Sequence, residues 1–570
     1  MKRNLRFLLA LSISASVITA TAGDLYVKAT GTGDGSTWAQ ATTLDAALAA
    51  AQTDDVIHIA AGTYIPTVEI TNTNEAITLG EADKTFEISK NITLIGGYPA
   101  DAETGAVANP SENPTILSGL LTADPELRAY HVVVVSAPAT TDKKVVMKGL
   151  TIEGGQAFSA NQYATTNEIN YHRNYGGGMF IGGAIVEMEN CTVKENSSTG
   201  HSAGIFICSG AIVTMEKCLV SENNGITVAG CNGGGIWVNA STLYLKNSKI
   251  SDNQTTGVGA GVYTFSTNVS VNFSAGDPAY LYAYNTTFSG NKTGGANAAA
   301  GYYGRERTVA QIINCTFYGN VAGGHAGAIQ TYGTATDKPV IDIINSTFTG
   351  NICGASNNGG GININGANAT VNIYNSIISG NKKGEEVNDL TGAATLINKC
   401  IITDKVYDET GAEVPSLSFD ATTMFGAFQN NGGGLNTCLL TGENNPAISH
   451  GMSSADLTTL ANTFTPAIPN AIISFDQLGT SRETYSTMGA VVKAVTSGNG
   501  SITSKEIRFY VSGNTLFVPS QIGDDINVYS ISGQLVRSVK ADSEMMRIEQ
   551  LAKGSIYIVK VANQAFKVIL

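Results

Sequence analysis

One short stretch decides the fold of this chain: Asn-Cys-Thr-Phe-Tyr-Gly-Asn, at residues 314–320. Variants of this heptad recur every 27 to 38 residues. Each ends in asparagine, at Asn196, Asn223, Asn253, Asn291, Asn320, Asn351 and Asn381. Self-similarity at such a period is the signature of a solenoid, in which each repeat packs on the one before it.

Two further elements accompany each heptad. A Gly-rich segment comes first, as in Gly-Gly-Gly-Ile-Trp-Val at 233–238. An alternating segment follows, as in Ala-Thr-Val-Asn-Ile-Tyr at 369–374. Because alternation of apolar and polar residues is typical of a half-buried strand, each period is predicted to hold three short strands and no helix.

Parallel strands stacked coil on coil at ~4.8 Å would align equivalent residues into ladders. An asparagine amide both donates and accepts, so the seven heptad asparagines are predicted to form a structural hydrogen-bond ladder. Gly fits the tight corners that need a positive φ. The fourth heptad position is predicted to fill the coil interior, with Val193, Val220, Ile250, Phe288, Phe317, Phe348 and Ile378.

The composition agrees with such a chain and excludes other classes. Of 570 residues 64 are Gly, 43% are hydrophobic and only 14% are charged. Disordered chains are poor in apolar residues and rich in charge, so disorder is excluded. The net charge is −13 and the 33 Lys and Arg residues form no cluster, so nucleic acid is not a predicted partner.

The N-terminus has the pattern of a secretory leader. Lys2, Arg3 and Arg6 precede an apolar run at 7–18, and Ala-Thr-Ala at 20–22 is a cleavage pattern, which places maturation between Ala22 and Gly23. No later apolar run reaches the ~18 residues of a membrane span, so no transmembrane span is predicted.

The eight cysteines have no metal-site spacing. Cys191, Cys218 and Cys315 share the second heptad position. Two alternatives stay open for them: a small apolar stack inside the coil, or a disulfide between Cys191 and Cys218 in adjacent coils.

The Gly-rich elements and the Asn-Cys-Thr-Phe-x-Gly-Asn elements resemble the right-handed parallel β-helix of pectate-lyase-like proteins, and also the repeats of polymorphic outer-membrane proteins. The opening Leu-Tyr-Val-Lys at 25–28 is similar to the start of that family, and 425–491 to its closing segment. The resemblance implies an all-β fold with a single-stranded solenoid. A short helix at 46–51 is predicted to cap it.

The last 65 or so residues break the repeat and alternate in the manner of a small β-sandwich. They resemble the C-terminal sorting domain of Bacteroidetes type IX secretion cargo. That resemblance implies the outer-membrane secretion machinery as a partner, and a secreted or cell-surface location in a Gram-negative bacterium. Whether the domain is cleaved stays open.

The predicted layout has four parts. A signal peptide at 1–22 precedes a β-helix at 23–491, a linker at 492–504 and a sorting domain at 505–570. The β-helix divides into a cap (23–148), repeat coils (149–404) and a closing segment (405–491).

The sequence is compatible with two functions. The first is a non-catalytic adhesin or glycan-binding protein whose partner is a polysaccharide or a host or cell-surface glycan. The second is a polysaccharide lyase or glycoside hydrolase acting on acidic polysaccharide; no catalytic residue is assigned. Aromatic rings stack on sugars and Arg donates paired hydrogen bonds. The glycan-binding candidates are therefore Tyr171, His172, Arg173, Tyr175, Tyr280, Tyr282, Tyr302, Tyr303, Arg305 and Arg307.

An acidic stripe is the one candidate for a metal. Glu195, Glu222 and Asp252 share one heptad position over three coils, and later coils replace them with Gly. No cofactor is predicted; calcium is the ion that such carboxylates would suit.

Overall fold

The structure is a computed structural model. It describes residues 22–122, 126–140, 142–158, 162–225, 230–266, 277–295, 298–354, 358–365, 368–417, 419–442, 445–483, 486–492, 510–512, 515–519, 525–530, 533–541, 545–549, 551, 556–561 and 564–569. The leader and most of the linker lie outside the described residues. The chain divides into two units, Met1–Ala494 and Val495–Leu570.

The first unit is a parallel β-helix, as predicted. Within the described residues, each full coil contributes one strand to each of four sheets. In one coil, for example, Met179–Gly182 lies in sheet 3, Ile185–Glu189 in sheet 1, Thr192–Lys194 in sheet 2 and Ser197–Ser198 in sheet 4, in this chain order. The structure therefore corrects the prediction of three strands per coil. The fourth strand has only two residues, too few for an alternating pattern to be recognised.

Sheets 1 and 2 are the longest. The described strands of sheet 1 are Asp24–Val27, Val56–Ala60, Thr93–Tyr98, Val145–Lys148, Ile185–Glu189, Ile212–Glu216, Thr242–Lys246, Ala279–Tyr284, Thr308–Ile313, Val340–Ile344, Thr370–Tyr374 and Leu396–Asn398. Those of sheet 2 are Gly62–Tyr64, Thr115–Ser118, Leu150–Glu153, Thr192–Lys194, Leu219–Ser221, Lys249–Ser251, Thr287–Ser289, Thr316–Tyr318, Thr347–Thr349, Ile377–Ile378, Cys400–Ile402 and the antiparallel Lys405–Tyr407.

Sheets 3 and 4 complete the coil. Sheet 3 contains Phe86–Ile88, Val133–Val135, Met179–Gly182, Ile205–Cys208, Ile236–Val238, Val262–Thr264, Tyr302–Gly304, Ile329–Tyr332, Ile362–Asn365 and Leu390–Thr391. Sheet 4 contains Gln156–Ala157, Ser197–Ser198, Asn224–Gly225, Gln254–Thr255, Lys292–Thr293, Val321–Ala322, Ile352–Cys353, Lys382–Lys383 and the antiparallel Glu386–Val387.

Parallel stacking begins before the predicted repeat coils. Asp24–Val27 pairs with Val56–Ala60 in sheet 1, well ahead of residue 149. The helix Leu44–Ala50 lies where the sequence predicts one at 46–51, and Leu44 and Ala47 on it are buried. Short 3-10 turns lie at Trp38–Gln40 and Glu81–Asp83.

The coil interior is filled as the heptad predicts. The seven fourth-position side chains are each 0% exposed. Three successive coils stack phenyl rings: the Phe317 centroid lies 4.4 Å from that of Phe288 and 4.7 Å from that of Phe348. All eight cysteines are free and buried, so Cys191 and Cys218 form no disulfide and belong to the interior stack.

The heptad asparagines, all 0% exposed, form a continuous line of amide hydrogen bonds. Each Nδ2 donates to the Oδ1 of the next coil, at 3.0 Å from Asn196 to Asn223 and 2.7 Å from Asn351 to Asn381. The line ends where Asn381 donates to the carboxylate of Asp389 at 2.6 Å. Burial raises the pKa of Asp389, which is 1% exposed.

Backbone geometry explains the residue before each ladder asparagine. Glu195, Glu222 and Asp252 have φ of 54°, 57° and 59°, and Gly290 and Gly319 have 65° and 64°. Glycine adopts this left-handed conformation without strain, which accounts for its appearance there in the later coils.

The closing segment folds back over the coils. It contains the hairpin Phe425–Asn430 and Asn436–Leu440, the helices Ser454–Ala461 and Asn470–Ile473, and the turns Ala421–Thr423 and Pro446–Ile448. Its chain is fixed to the coils by side-chain amides: Asn314 Nδ2 donates to the carbonyl of Ile472 at 2.8 Å. One outer face of the solenoid is thereby covered.

The second unit is a small β-sandwich. Three strands form one sheet (Tyr510–Ser512, Thr515–Pro519 and Met545–Ile548), and four form the other (Asp525–Ser530, Leu535–Lys540, Ile556–Val561 and Gln564–Ile569). All their described pairings are antiparallel. Leu516 and Val518 of one sheet share a core with Ile526, Val528 and Val559 of the other.

Candidate functional site

A ladder of aromatic rings runs along the outer face of sheet 3. Its members are in register on successive strands: Phe180, Phe206, Trp237, Tyr263 and Tyr303. Neighbouring ring centroids lie 4.9, 5.1, 5.3 and 5.7 Å apart along the ladder. In the next coil the ladder position is Gln330, so the rings give way to an amide.

A cleft of about 360 Å³ opens where the rings end. This volume lies in the range of about 300–1,000 Å³ of small-molecule sites. Six side chains that line it carry polar atoms suited to a ligand: Asn232, Tyr303, Arg305, Gln330, Tyr332 and Asn365. They come from several coils that the parallel register brings side by side. We call this site the sheet 3 cleft.

Arg305 is held between two rings of the sheet 3 cleft region. Its Cζ lies 4.2 Å from the centroid of Phe265 and 5.2 Å from that of Tyr332. Nη1 donates to the Tyr263 hydroxyl at 3.3 Å, and Nε forms an ion pair with Glu306 at 3.0 Å. The side chain of Arg305 is 29% exposed, so a rigidly placed guanidinium still reaches solvent.

The floor of the sheet 3 cleft contains a buried acceptor. Gln330 is 1% exposed, and its Oε1 has no hydrogen-bond partner among the described residues. An unpaired buried polar atom costs free energy that a ligand hydroxyl would recover. Burial raises the pKa of Tyr303 to about 12, so its phenol stays a protonated donor at neutral pH. Tyr332, 37% exposed, forms an open aromatic wall.

The first predicted group, at 171–175, belongs to the hairpin Tyr163–Thr166 and Ile169–His172 and to the turn that follows it, and it is buried. Tyr171, His172, Arg173 and Tyr175 are 0, 7, 7 and 6% exposed. Arg173 forms an ion pair with Asp83, from Nε to Oδ1 at 2.7 Å. These contacts hold the hairpin onto the coil, and the burial removes the four residues from the candidate surface.

The predicted candidates Tyr280 and Tyr282 are covered by the closing segment. Tyr282 is 4% exposed, and it packs with Tyr280 in one cluster with Leu457 and Ile473 of the closing helices. Tyr302 is 0% exposed in the coil interior, because it alternates with the outward Tyr303. Of the candidates at 302–307, only Tyr303 and Arg305 line the sheet 3 cleft.

Arg307 has a partner outside the sheet 3 cleft. Its Nε donates to Asp337 Oδ1 at 2.9 Å, and this hydrogen bond lowers the pKa of the Asp337 carboxyl. The guanidinium of Arg307 thus forms a surface ion pair with Asp337.

Sequence reasoning missed Gln330, Tyr332, Asn232 and Asn365. A signal existed for Gln330, because it follows the isoleucine of a Gly-rich element, as Trp237 and Phe206 do. Aligning this position over the coils gives the outward ladder of sheet 3. Tyr332 and Asn365 lie beyond that alignment, at strand ends.

The acidic stripe does not assemble a metal site. Lys194 Nζ pairs with Glu195 at 2.6 Å and with Glu153 at 3.2 Å. Among the described residues, no group of three or more His, Cys, Asp or Glu is placed to hold a metal ion. No helix in the described part of the chain is long and apolar enough to cross a membrane.

Comparison with known proteins adds two weak structural likenesses. No family model matches the chain, and no curated protein matches it. The structure is similar to the crystal structure of pectate lyase Pel9A at 14% identity and a TM-score of 0.44, over 83% of this chain and 97% of that one. It is also similar to the complex of XylC with xylose, at 10% identity and a TM-score of 0.26, over 96% of this chain and 99% of that one. The stacked sheets themselves define the class: this is a parallel β-helix protein.

Proposed function

We propose that this protein binds a polysaccharide or cell-surface glycan through the sheet 3 cleft, without chemical turnover. The observation that carries the proposal is the unpaired Oε1 of Gln330 in the floor of a cleft with an aromatic wall. Glycans offer the matching chemistry: hydroxyls that donate to an amide oxygen, and C–H faces that pack on a ring such as Tyr332.

Arg305 adds selectivity to this recognition. Nη1 donates to Tyr263 and Nη2 donates to Glu306, and a guanidinium carries five N–H groups. The remaining donors suit a ring oxygen, a hydroxyl or a uronate carboxylate. Because Phe265 and Tyr332 hold the guanidinium plane in place, binding costs little side-chain entropy.

Affinity electrophoresis through gels containing acidic or neutral polysaccharides tests this proposal. Arg305→Ala is compared with Arg307→Ala, a matched change two residues away whose partner lies outside the sheet 3 cleft. Retardation by at least one polysaccharide is expected, with roughly tenfold weaker binding for Arg305→Ala and none lost for Arg307→Ala. Equal binding by all three proteins would overturn the assignment.

The same polysaccharides also test the enzymatic alternative. New double-bond absorbance, or new reducing ends, from the full chain would show a lyase or a hydrolase and replace the non-catalytic proposal. Binding without either product supports it.

We also propose that the chain is exported to the cell surface or secreted by the outer-membrane secretion machinery. The basic and apolar leader supports this, as does the place of Gly23, whose N–H donates to Asp55 Oδ1 at 2.7 Å. Asp55 is only 9% exposed, and its Oδ2 accepts from the Gln52 N–H. Cleavage after Ala22 would create an α-ammonium beside this carboxylate. Deleting 505–570 is expected to abolish surface delivery; unchanged delivery would contradict the sorting role.

A further inference from the structure

We propose that the first coils carry a second saccharide site, which takes the ring of a neutral sugar. It is a cleft of about 320 Å³ on the outer face of sheet 1, distinct from the sheet 3 cleft. Tyr26, Trp38, His58 and Tyr98 line it together with the hydroxyl-bearing Thr37 and Thr104. This inference does not depend on the function proposed for the sheet 3 cleft.

The four rings of this N-terminal cleft form a closed circle. Centroid distances are 4.9 Å from Tyr26 to Trp38, 5.2 Å from Trp38 to Tyr98, 5.3 Å from Tyr98 to His58 and 5.1 Å from His58 to Tyr26. Each ring is therefore fixed by two others before any ligand arrives. Preorganised walls reduce the entropy lost on binding.

A chain of hydrogen bonds orients the polar atoms. His58 Nε2 lies 2.9 Å from Asp24 Oδ1, and Nδ1 lies 2.8 Å from Tyr98 Oη. A carboxylate only accepts, so Nε2 donates to it; in the neutral imidazole Nδ1 then accepts the phenol proton of Tyr98. Burial raises the pKa of Tyr98, which keeps that proton on the phenol. The Tyr98 oxygen is left as an acceptor for a ligand donor.

The chemistry of the lining selects the ligand. No described residue that lines the N-terminal cleft is Lys or Arg. The carboxylate of Asp24 stands at its edge, with a side chain 58% exposed. Lys28 Nζ lies 5.8 Å from the centroid of Trp38, so one charge of each sign borders the cleft and the lining itself is uncharged. A neutral sugar offers hydroxyl donors to Tyr98 and the threonines, and a C–H face to the rings.

Saturation-transfer NMR on the full chain tests the site with four probes, the methyl glycosides of glucose, galactose, mannose and N-acetylglucosamine. Transfer to at least one probe is expected. Tyr98→Phe keeps the ring and removes the acceptor, so the affinity for that probe should fall about tenfold. Tyr26→Ala, which opens the circle of rings, should weaken binding further, and Arg307→Ala, whose partner Asp337 lies outside both clefts, should leave it unchanged.

Three results would overturn the proposal. One is no transfer to any of the four probes. Another is equal affinity in the Tyr98→Phe variant and the unsubstituted chain, with matching thermal midpoints to show that both are folded. The third is binding that survives Tyr98→Phe and disappears in Arg305→Ala, which would place the sugar in the sheet 3 cleft instead.

Discussion

Two ladders of equivalent side chains run along this solenoid, and they differ in how completely they satisfy themselves. In the asparagine ladder each amide donates to the next coil, and the last one, Asn381, donates to Asp389; only the Oδ2 of that terminal carboxylate has no partner among the described residues. In the aromatic ladder of sheet 3 the rings satisfy each other by packing, but polar atoms remain. Trp237 Nε1 and Gln330 Oε1 have no partner among the described residues.

This difference distinguishes the asparagine ladder, which is structural, from the aromatic ladder beside the proposed binding site. The amides of the asparagine ladder satisfy one another along the coils, so they serve stability. The aromatic ladder ends in an unpaired buried amide oxygen beside Arg305 and Tyr332, and this is where we propose that a glycan binds. The repeated positions therefore form the solenoid, and the sheet 3 cleft lies where Gln330 interrupts the aromatic ladder.

The largest expected effect comes from the coil interior beneath both ladders. Phe317→Ala removes the middle ring of a fully buried stack and should lower the free energy of unfolding by about 3–5 kcal/mol. Urea titration followed by circular dichroism measures it. Val321→Ala, at a side chain 37% exposed in the same coil, should cost less than about 0.5 kcal/mol. A loss below about 1 kcal/mol for Phe317→Ala would show that the stack does not hold the coils.

Breaking the asparagine ladder in its middle should cost somewhat less. Asn291→Ala removes donors to Asn320 Oδ1 at 2.9 Å and to the Ile250 carbonyl at 3.0 Å. It also removes the Oδ1 that accepts from both the Nδ2 and the backbone N–H of Asn253. We expect a loss of about 3 kcal/mol, against almost none for the exposed Asn462→Ala. Equal stability of the two variants would contradict the role of the ladder.

Acid should act on the aromatic ladder through a histidine packed against it, whereas the amides of the asparagine ladder do not titrate. His131 packs edge-on against Phe180 of the aromatic ladder at 5.6 Å, and burial lowers its pKa to about 4. The unfolded chain, with a pKa near 6.5, binds the proton first, so this stability is present above pH 6.5 and is lost as the pH falls toward 4.

At pH 5 this histidine alone should account for a loss of about 2 kcal/mol relative to pH 7. Unfolding free energies of the full chain and of His131→Gln, measured at both pH values, provide the check. The difference between pH 7 and pH 5 should be smaller in the variant. An identical pH dependence in both proteins would show that His131 does not titrate as its burial requires.

The repeat made the scaffold predictable. Because the heptad recurs in successive coils, it predicts which residues become neighbours. The interior Phe317 stack and the amide ladder followed from this repeat. The two-residue strands of sheet 4 did not, because two residues carry no period. Nor did Asp389, which replaces asparagine at the ladder end and lies outside any heptad.

The sheet 3 cleft was only partly predictable. Tyr303 and Arg305 stood among the candidates, but the sequence could not separate Tyr303 from the inward Tyr302 without the strand's orientation. The sequence did not predict the burial of Tyr282, for a different reason. Its cover comes from the closing segment, more than 170 residues further along the chain, and only the folded coil brings the two together.

Hydroxyl-radical footprinting tests the central claim most directly. The full chain is labelled with and without the polysaccharide that retards it most, and oxidation is mapped by mass spectrometry. Protection of Tyr332, with Tyr374 on sheet 1 unchanged as an internal control, is the predicted result. Unaltered oxidation of Tyr332 at saturating polysaccharide would contradict glycan binding in the sheet 3 cleft.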